Sequence, residues 1–206
     1  MRYFIADQHF FHKALNEKMD KRGFESVEQM NEYMIEKWNA KINKNDEVII
    51  LGDFSWGNAR QTQEVLDRLK GRLYMIKGNH DRFLSDKKYS WDRFIWIKDN
   101  KRKVILSHYP IACYNGQYRR DETGQPKTFM LHGHIHKTQD QIYLDAYQKF
   151  VQRQSHVSVS GNVETIPCQF INCFCMYSDY APMTLDEWIE IDKKRRQNPE
   201  SNVIML

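Results

Sequence analysis

The sequence predicts an α/β fold whose chemically active residues gather at the ends of strands. Short apolar runs rich in β-branched residues alternate with longer amphipathic segments, as in layered α/β proteins. Almost every apolar run is followed at once by a polar motif, and open α/β sheets bind ligands at the ends of their strands. The chain has 206 residues, 41% of them hydrophobic, so we expect residues 1–206 to form one domain around one core.

The first half of the chain contains three predicted strands and two predicted helices. The strands are predicted at residues 2–6, 47–51 and 73–76. The second of these is a continuous β-branched run, which is typical of a strand buried on both faces. The helices are predicted at residues 27–40 and 59–69. Ser26 and Gln29 are placed to form a capping box for the first helix, and Asn58 precedes the second.

The second half continues the alternation. Strands are predicted at residues 104–106 and 129–131 and in the region 157–163, and a surface helix is predicted at residues 140–152. A last helix is predicted to start at Thr184, with Glu187 completing a capping box, and to end before Pro199. It runs into a basic cluster, residues 193–196, which we interpret as a solvated helix end.

Five polar motifs follow the apolar runs. They are Asp7-Gln8-His9, Gly52-Asp53, Gly78-Asn79-His80-Asp81, Ser107-His108 and Gly133-His134-Ile135-His136. Each alone is better explained as a turn or as ordinary polar residues, but together they indicate a site for two metal ions. In an extended segment, residues two apart point the same way, so Asp7 with His9, and His134 with His136, are expected to face one ion each. Carboxylate, imidazole and amide oxygen without thiolate suit manganese, iron or zinc.

The order and spelling of these motifs resemble those of the calcineurin-like metallophosphoesterases, whose signature runs Asp-x-His, Gly-Asp, Gly-Asn-His-Asp/Glu, His, Gly-His-x-His. The resemblance spans residues 7–136, and residues 3–10 and 161–164 are also similar to small bacterial and phage members. It implies a four-layer α/β/β/α sandwich in which two sheets pack face to face with helices outside. The interval between His108 and Gly133 is too short for a large cap domain.

The resemblance also implies roles for the motif residues. One divalent ion would be held by Asp7, His9 and His136, the other by Asn79, His108 and His134, and Asp53 would bridge both. A hydroxide activated by the two ions would attack phosphorus, and manganese is the ion expected to support activity in vitro. His80 would donate a proton to the leaving group, and Asp81 would orient the His80 ring or fix its tautomer.

Three functions follow from these expectations. The leading hypothesis is hydrolysis of a phosphomonoester or phosphodiester, of a nucleotide or another small molecule. The alternative is a nuclease or nucleic-acid end-processing enzyme, which ranks second because the sequence has no basic domain; salt-dependent oligonucleotide binding would distinguish the two. A non-catalytic scaffold of the same fold is disfavoured because the motif set is complete. The sequence indicates neither the physiological substrate nor the oligomeric state.

Further side chains near the motifs could contact substrate, although each is equally explained as solvent-exposed or as part of the core. The polar ones, which could meet a phosphate or a base, are His12, Arg82, Tyr109, Asn115, Arg119, Arg120 and Lys137. The aromatic ones, which could stack on a base, are Trp56, Trp91, Phe94 and Trp96. We favour a core position for most of these rings.

Charge and composition set weaker limits. The chain carries 31 Lys and Arg against 27 Asp and Glu, a surplus of four that permits an anionic substrate without selecting one. No segment is apolar over the length that a membrane helix needs and the start lacks a signal-peptide core, so a cytoplasmic location and no membrane partner are expected. The four cysteines show no zinc-finger spacing and are expected to be reduced structural thiols.

Overall fold

The computed structural model describes residues 1–82, 90–91, 94–158 and 160–197. Within them, a first sheet consists of parallel strands in the order β1-β2-β3-β4. These strands are Arg2–Ile5 (β1), Glu47–Ile50 (β2), Arg72–Ile76 (β3) and Ser90–Trp91 (β4). The first three confirm the predicted strands to within one residue at each end, because each ends in buried apolar residues.

A second sheet faces the first and has the order β10-β7-β6-β5 in the described part of the chain. Its strands are Phe94–Asp99 (β5), Arg102–Ser107 (β6), Thr128–His132 (β7) and Phe170–Asn172 (β10). Strand β5 pairs with β6 antiparallel, whereas the other neighbours are parallel. Between β7 and β10, the strands Ser155–Val157 (β8) and Val163–Thr165 (β9) form a separate hairpin.

Four α-helices of the described chain pack around the two sheets. They are Val27–Lys41 (α1), Ala59–Arg68 (α2), Gln139–Gln152 (α3) and Leu185–Gln197 (α4). Buried residues of α1 and α2 pack against one face of the first sheet, and Val151 of α3 packs against the outer face of the second. Helix α4 contacts β10. The α/β class predicted from the alternation of elements is therefore confirmed.

Between the two sheets lies an apolar layer that both supply. Phe4 and Ile49 of the first sheet pack with Val104 and Leu131 of the second, and Trp188 of α4 joins them. This layer and the outer helices make the four-layer arrangement that the resemblance implied. Residues 109–127, all within the described chain, connect β6 to β7 through turns and contain no helix, in agreement with the expected absence of a large cap. The single-domain assignment stays a prediction.

The predicted helix caps are confirmed with one exception. Asn58 and Gln61 form a full capping box at α2, and Thr184 and Glu187 exchange hydrogen bonds at the start of α4. At α1 the side chain of Ser26 accepts the N–H of Gln29 as predicted. The capping box predicted there is wrong, because the Gln29 side chain accepts the N–H of Glu25 and not that of Ser26.

The interpretation of residues 193–196 as a solvated helix end is wrong for both arginines of this segment. Arg195 is buried and donates to both carboxylate oxygens of Asp145 in α3, at 2.7 and 2.9 Å, and to Asp192 at 2.8 Å. Arg196 also pairs with Asp145 and Asp192, each at 2.7 Å. The last turn of α4 thus points this charge inward, where acidic partners neutralise it. The expected end before Pro199 lies outside the described residues.

Other features were not predicted or differ from expectation. Strands β5 and β10 were missed, and the strand expected in the region 157–163 is met only at its two ends, where β8 ends at Val157 and β9 begins at Val163. Cys168, Cys173 and Cys175 are buried free thiols and Cys113 is exposed, so no disulfide forms among the described residues. Within the same residues, no helix combines the length and apolar character needed to cross a membrane.

Candidate metal centre

The motif residues converge where strands of both sheets end. Asp7 and Asp53 follow β1 and β2 of the first sheet, and His108 and His134 follow β6 and β7 of the second. The carboxylate of Asp7 accepts the backbone N–H of His134, at 3.0 and 3.1 Å, which ties the two sheets together at the site. Parallel strands bring their carboxyl ends to one edge, so the fold itself assembles the cluster.

The backbone at these motifs is left-handed, which the sequence analysis did not anticipate. Asp7, His9, His134 and His136 have φ of 59°, 49°, 71° and 45°, and Asp53 has φ of 53°. The expectation that extended alternation makes paired residues face one ion is therefore wrong, although both pairs do point into the cluster. Left-handed residues other than glycine are uncommon and concentrate at functional sites, where surrounding contacts hold the strained conformation.

Two motif glycines make room for the side chains of the cluster. Gly52 has φ of 92°, and a Cβ at this position would lie 2.5 Å from Nδ1 of His108. A Cβ on Gly78 would lie 2.2 Å from Oδ1 of Asp53. Both distances are too short for any side chain, so glycine is required where the backbone approaches the acidic and imidazole groups.

Asp53 lies at the centre of the cluster. Its Oδ2 is 3.4 Å from Nε2 of His108, 3.5 Å from Nε2 of His9 and 3.9 Å from Nε2 of His80. Its Oδ1 accepts the backbone N–H of His80 at 2.9 Å. One carboxylate thus faces histidines from three different motifs, as a ligand shared between two ions would.

One group of ligand atoms comes from Asp7, His9 and His136, which lie within 4.8 Å of one another. The Nε2 atoms of His9 and His136 are 3.2 Å apart, and Nε2 of His136 is 3.7 Å from Oδ1 of Asp7. These are the three residues that the resemblance assigned to one ion.

A second group surrounds the side-chain oxygen of Asn79. That oxygen is 2.9 Å from Nε2 of His108 and 3.0 Å from Nδ1 of His134. Asp7, Asp53 and His108 also have ligand atoms within 4.8 Å of one another, which would give Asp7 to this group as well. By distance, His108 groups with Asn79 and Asp53, which face its Nε2, whereas the His108 nitrogen nearer Asp7 is Nδ1, and Nδ1 is 2.8 Å from the carbonyl of Leu51.

The electrostatics of the cluster suit divalent cations. Burial would raise the pKa of Asp53, but the hydrogen bond and charge of His108 hold it at about 2. Burial would lower the pKa of His108, but Asp53 and Asp7 raise it to about 9. Burial and the charge of His136 keep the pKa of His9 well below its usual value, so His9 presents the neutral imidazole that metals bind. The carboxylates thus attract positive charge that bound cations would supply in place of protons.

His80 and Asp81 differ from their expected relationship. The His80 side chain is 37% exposed at the edge of the cluster, with its ring centroid 4.9 Å from that of Trp56. Asp81 is buried, and the partners of its carboxylate among the described residues are the backbone N–H groups of Asp53, Phe54 and Gly78, each at 2.8 Å. Asp81 therefore fixes the loops that carry Asp53 and Asn79 and forms no hydrogen bond with the His80 ring that it was expected to orient.

Sequence reasoning missed a charged pair behind the cluster. Oδ1 of Asp20 is 2.9 Å from Nδ1 of His136. The buried guanidinium of Arg22 donates to Oδ2 of Asp20 at 2.9 Å and to the backbone carbonyls of Asp7, at 3.0 Å, and Gln8, at 2.6 Å. Neither residue belongs to a motif, and a short charged stretch between predicted elements gives no signal of this role.

The other residues near the motifs divide into two sets. His12, Arg82 and Tyr109 lie beside the cluster: the His12 and Trp56 rings are 4.4 Å apart, Arg82 lies over Trp56 at 5.6 Å, and Tyr109 packs on His134 at 4.3 Å. The described structure gives no contact with the cluster for the remaining set, which consists of Asn115, Arg119, Arg120 and Lys137. Of these, Arg120 is used structurally, since it donates to carbonyl groups of Gly124 and Thr165.

Known proteins are similar to this chain over most of its length. The chain is 30% identical over 194 residues to the uncharacterized protein MJ1445 of Methanocaldococcus jannaschii, which covers 93% of this chain and 91% of that protein. It is 28% identical over 162 residues to the Gene 66 protein of Mycobacterium phage D29, covering 65% of this chain and 77% of the phage protein.

The fold is similar to that of a solved structure, the protein of unknown function AQ665 from Aquifex aeolicus. The TM-score is 0.63 at 24% sequence identity, over 94% of this chain and 98% of that one. At this identity the likeness supports the fold alone. The sequence pattern of the calcineurin-like phosphoesterases matches residues 3–201, nearly the whole length that carries the two sheets and the metal cluster. The chain is therefore a member of the calcineurin-like phosphoesterase family.

Proposed function

We propose that the protein is a phosphoesterase that uses two divalent metal ions to hydrolyse a phosphomonoester or phosphodiester of a nucleotide or another small molecule. The observation that carries the proposal is the position of Asp53, whose one carboxylate oxygen faces His9, His80 and His108 within 3.9 Å. A carboxylate shared between two imidazole groups suits a pair of cations, which would otherwise repel each other.

The ligands divide between the two ions as the distances suggest. Asp7, His9 and His136 would hold one ion, Asn79, His108 and His134 the other, and Asp53 would contact both. Manganese, iron and zinc all suit this set of carboxylate, imidazole and amide ligands, and we expect manganese to support activity in vitro. When bound, two such ions supply an activated water and stabilise charge on the phosphoryl oxygens.

His80 is the proposed general acid. Its backbone N–H is fixed by Asp53, and its half-exposed ring lies at the rim of the cluster beside Trp56, where a leaving group would depart. The ring can therefore deliver a proton to the departing oxygen without leaving the site. Asp81 acts indirectly in this proposal, because its hydrogen bonds hold the backbone of Asp53 and Gly78.

The decisive experiment compares leaving groups. Metal-stripped protein is reloaded with Mn²⁺ and assayed on p-nitrophenyl phosphate, bis-p-nitrophenyl phosphate and phenyl phosphate, alongside His80→Ala and Asp53→Asn. A p-nitrophenolate ion departs without help, whereas phenolate gains more from protonation. His80→Ala should thus lower kcat on phenyl phosphate by about 10²-fold or more, and on p-nitrophenyl phosphate by much less, with bound Mn²⁺ retained. Asp53→Asn should lose both activity and metal.

His156→Ala serves as the control, because His156 lies in β8, outside the cluster. If His80→Ala lowered kcat equally for esters with good and poor leaving groups, His80 would not be the general acid. The proposed metal site would be unaffected by that result. Failure of the wild-type protein to bind Mn²⁺, Fe²⁺ or Zn²⁺ would contradict the proposed function itself. Preference between the two p-nitrophenyl esters assigns monoesterase or diesterase activity.

A further inference from the structure

The outer face of β5 exposes aromatic rings. Ile95 and Ile97 pack toward the layer between the sheets, so Phe94, Trp96 and Lys98 point the opposite way. Trp96 is 56% exposed and Phe94 46%. The core positions favoured from the sequence are therefore wrong for these two rings. In the described structure α3 packs on β10, at the far edge of the sheet, and leaves β5 without a helix over it.

Positive charge surrounds the exposed tryptophan. A groove of about 240 Å³ beside it is lined by five cationic side chains and one threonine. We call the ring and its cations the Trp96 surface, which consists of Trp96, Lys98, Lys101, Lys103, Arg119 and Lys127. Among the described residues, none of these cations forms an ion pair with a carboxylate within 4.0 Å. The groove thus holds a concentrated positive charge on a protein whose net charge is only +4.

The arrangement of these cations is unfavourable in the free protein. Lys98 and Lys103 are direct cross-strand partners, and like charges in such positions repel. Nζ of Lys103 lies 5.1 Å from the centre of the Trp96 ring, which offsets part of that repulsion. A bound polyanion would relieve the remaining repulsion between the two lysines.

The turn between β5 and β6 places a further cation at a strained position. Asn100 and Lys101 have φ of 44° and 67°, as the two central residues of a type I′ turn require. Glycine suits the second of these positions best, and a residue with a Cβ costs free energy there. Lysine is therefore not the residue that the turn favours at this position, but its side chain lines the groove beside Trp96.

Strand β5 runs between the Trp96 surface and the end of the sheet that carries the candidate metal centre. In the register of the sheet, Phe94 lies opposite Ser107, the residue before His108, and Lys98 lies opposite Lys103. The outward face of β5 therefore leads from the end of the sheet that carries His108 to the cationic groove, over about 13 Å at roughly 3.3 Å per residue.

We propose that the Trp96 surface binds single-stranded nucleic acid, with phosphates on the lysines and arginine and an unpaired base stacked on Trp96. Cations that follow a groove with an exposed ring among them are how sequence-independent single-strand sites are built. A duplex offers no free base face to the ring. An acidic peptide would use the charges but would gain little from an open indole face. Binding of nucleic acid at this surface is a function additional to the proposed hydrolysis and does not depend on it.

The test measures binding of a fluorescein-labelled oligothymidylate by anisotropy, in EDTA so that no metal-dependent turnover occurs. Affinity should fall steeply as salt rises. Trp96→Ala should weaken binding about fivefold or more. Lys101→Gly should weaken binding and lower the magnitude of the slope of log K against log salt by about 0.7, the value for one phosphate contact on a single strand. Because glycine relieves the left-handed strain, this second variant keeps its fold, and a loss of binding cannot be attributed to misfolding.

Arg60→Ala on α2 and Phe150→Ala on α3 are the matched controls, since each removes an exposed cation or ring elsewhere and should bind like wild type. Absence of binding at about 50 mM salt, or equal affinity of Trp96→Ala, Lys101→Gly and the controls, would overturn the proposal. So would displacement by polyglutamate as effective as by unlabelled oligonucleotide, which would assign the surface to an acidic peptide. Lys101→Gly should hydrolyse small esters at the wild-type rate in a separate assay. A negative result in the oligonucleotide-binding test would therefore leave the proposed phosphoesterase function untouched.

Discussion

At the scale of single residues, the Asp20 carboxylate controls how His136 faces the candidate metal centre. Burial would raise the pKa of Asp20, but hydrogen bonding to His136 and the charge of Arg22 lower it, so the carboxylate stays ionised and can only accept. Nδ1 of His136 must then carry the proton and donate it to Asp20. When a metal ion replaces the proton on Nε2, the lone pair of that nitrogen would face the ion beside Asp7 and His9. Such carboxylate partners orient metal-binding histidines.

Asp20→Asn tests that control. The amide keeps the size of the side chain but can present its NH₂ group to His136, so the ring is no longer held in one tautomer. We expect the affinity for Mn²⁺ to fall about 10- to 100-fold, measured at a temperature at which circular dichroism shows the variant to be folded, since the change also removes the acidic partner of Arg22. Isothermal titration of metal-stripped protein measures this, with Asp67→Asn on α2 as the control. Unchanged affinity in Asp20→Asn would show that His136 is positioned by its stacking on Phe174 instead.

The sequence named the motif residues at this scale but could not describe their backbone or their supports. Spacing along the chain gave Asp7 and His9 as neighbours, yet extended geometry was the wrong reason, since both are left-handed. Left-handed residues without glycine depend on tertiary contacts, such as the N–H of Asp7 bonding to the carbonyl of Gly52, which local sequence does not encode. The roles of Asp20 and Arg22 were not predicted for the same reason.

At the scale of elements, buried charge joins α4 to α3. Arg195 and Arg196 reach Asp145 in α3 across the space between the two helices. Strands and caps with strong local patterns were predictable, as β2 and the start of α2 show. The inward face of α4 was not, because four consecutive basic residues look like a solvated end unless the acidic partner in another helix is known. Strand β5 was missed because its outward positions are exposed rings and a lysine.

Asp145→Asn should be strongly destabilising. It removes an acidic partner of the buried Arg195 and the partly buried Arg196, and breaking such a network costs about 3 kcal/mol or more in free energy of unfolding. Urea denaturation at neutral pH measures this, with Glu190→Gln on the exposed side of α4 as the control, for which less than about 0.5 kcal/mol is expected. A small change in Asp145→Asn would mean that Asp192 alone neutralises both arginines.

The same pair predicts a pH dependence with a definite sign. Burial would raise the pKa of Asp145, but Arg195 and Arg196 lower it below its unfolded value, which is about 3.9. The contribution of the Asp145 ion pairs to stability is therefore complete above about pH 4. It is lost as the pH falls through the pKa of Asp145 in the folded protein, which is lower. The difference in unfolding free energy between wild type and Asp145→Asn should be largest near neutrality and shrink below about pH 4, as measured by urea denaturation across pH. A difference that grew on acidification would contradict this.

At the scale of the whole molecule, the candidate ligands connect the two sheets. Asp7, Asp53 and Asn79 come from loops of the first sheet, whereas His108 and His136 come from loops of the second. The alternation of strands and helices predicted the class of fold, but which strands belong to which sheet depends on the antiparallel pairing of β5 and on β10, which the sequence did not reveal. The resemblance to a family supplied the face-to-face arrangement.

Because the ligands lie on both sheets, bound metal should stabilise the entire fold and not only its loops. Ions that bind the folded state alone add about 2.7 kcal/mol at a concentration of 100 times Kd, which for a chain of this size raises Tm by roughly 5–10 °C. Calorimetry of wild type in EDTA and in Mn²⁺ measures the shift. Asp53→Asn should lose it, whereas Asp67→Asn should retain it. A shift of equal size in Asp53→Asn would place the ions elsewhere. If amide exchange in Mn²⁺ slowed after β2 but not after β7, the ions would bind one sheet only, and the connection between the sheets would depend on the Asp7 to His134 hydrogen bonds instead.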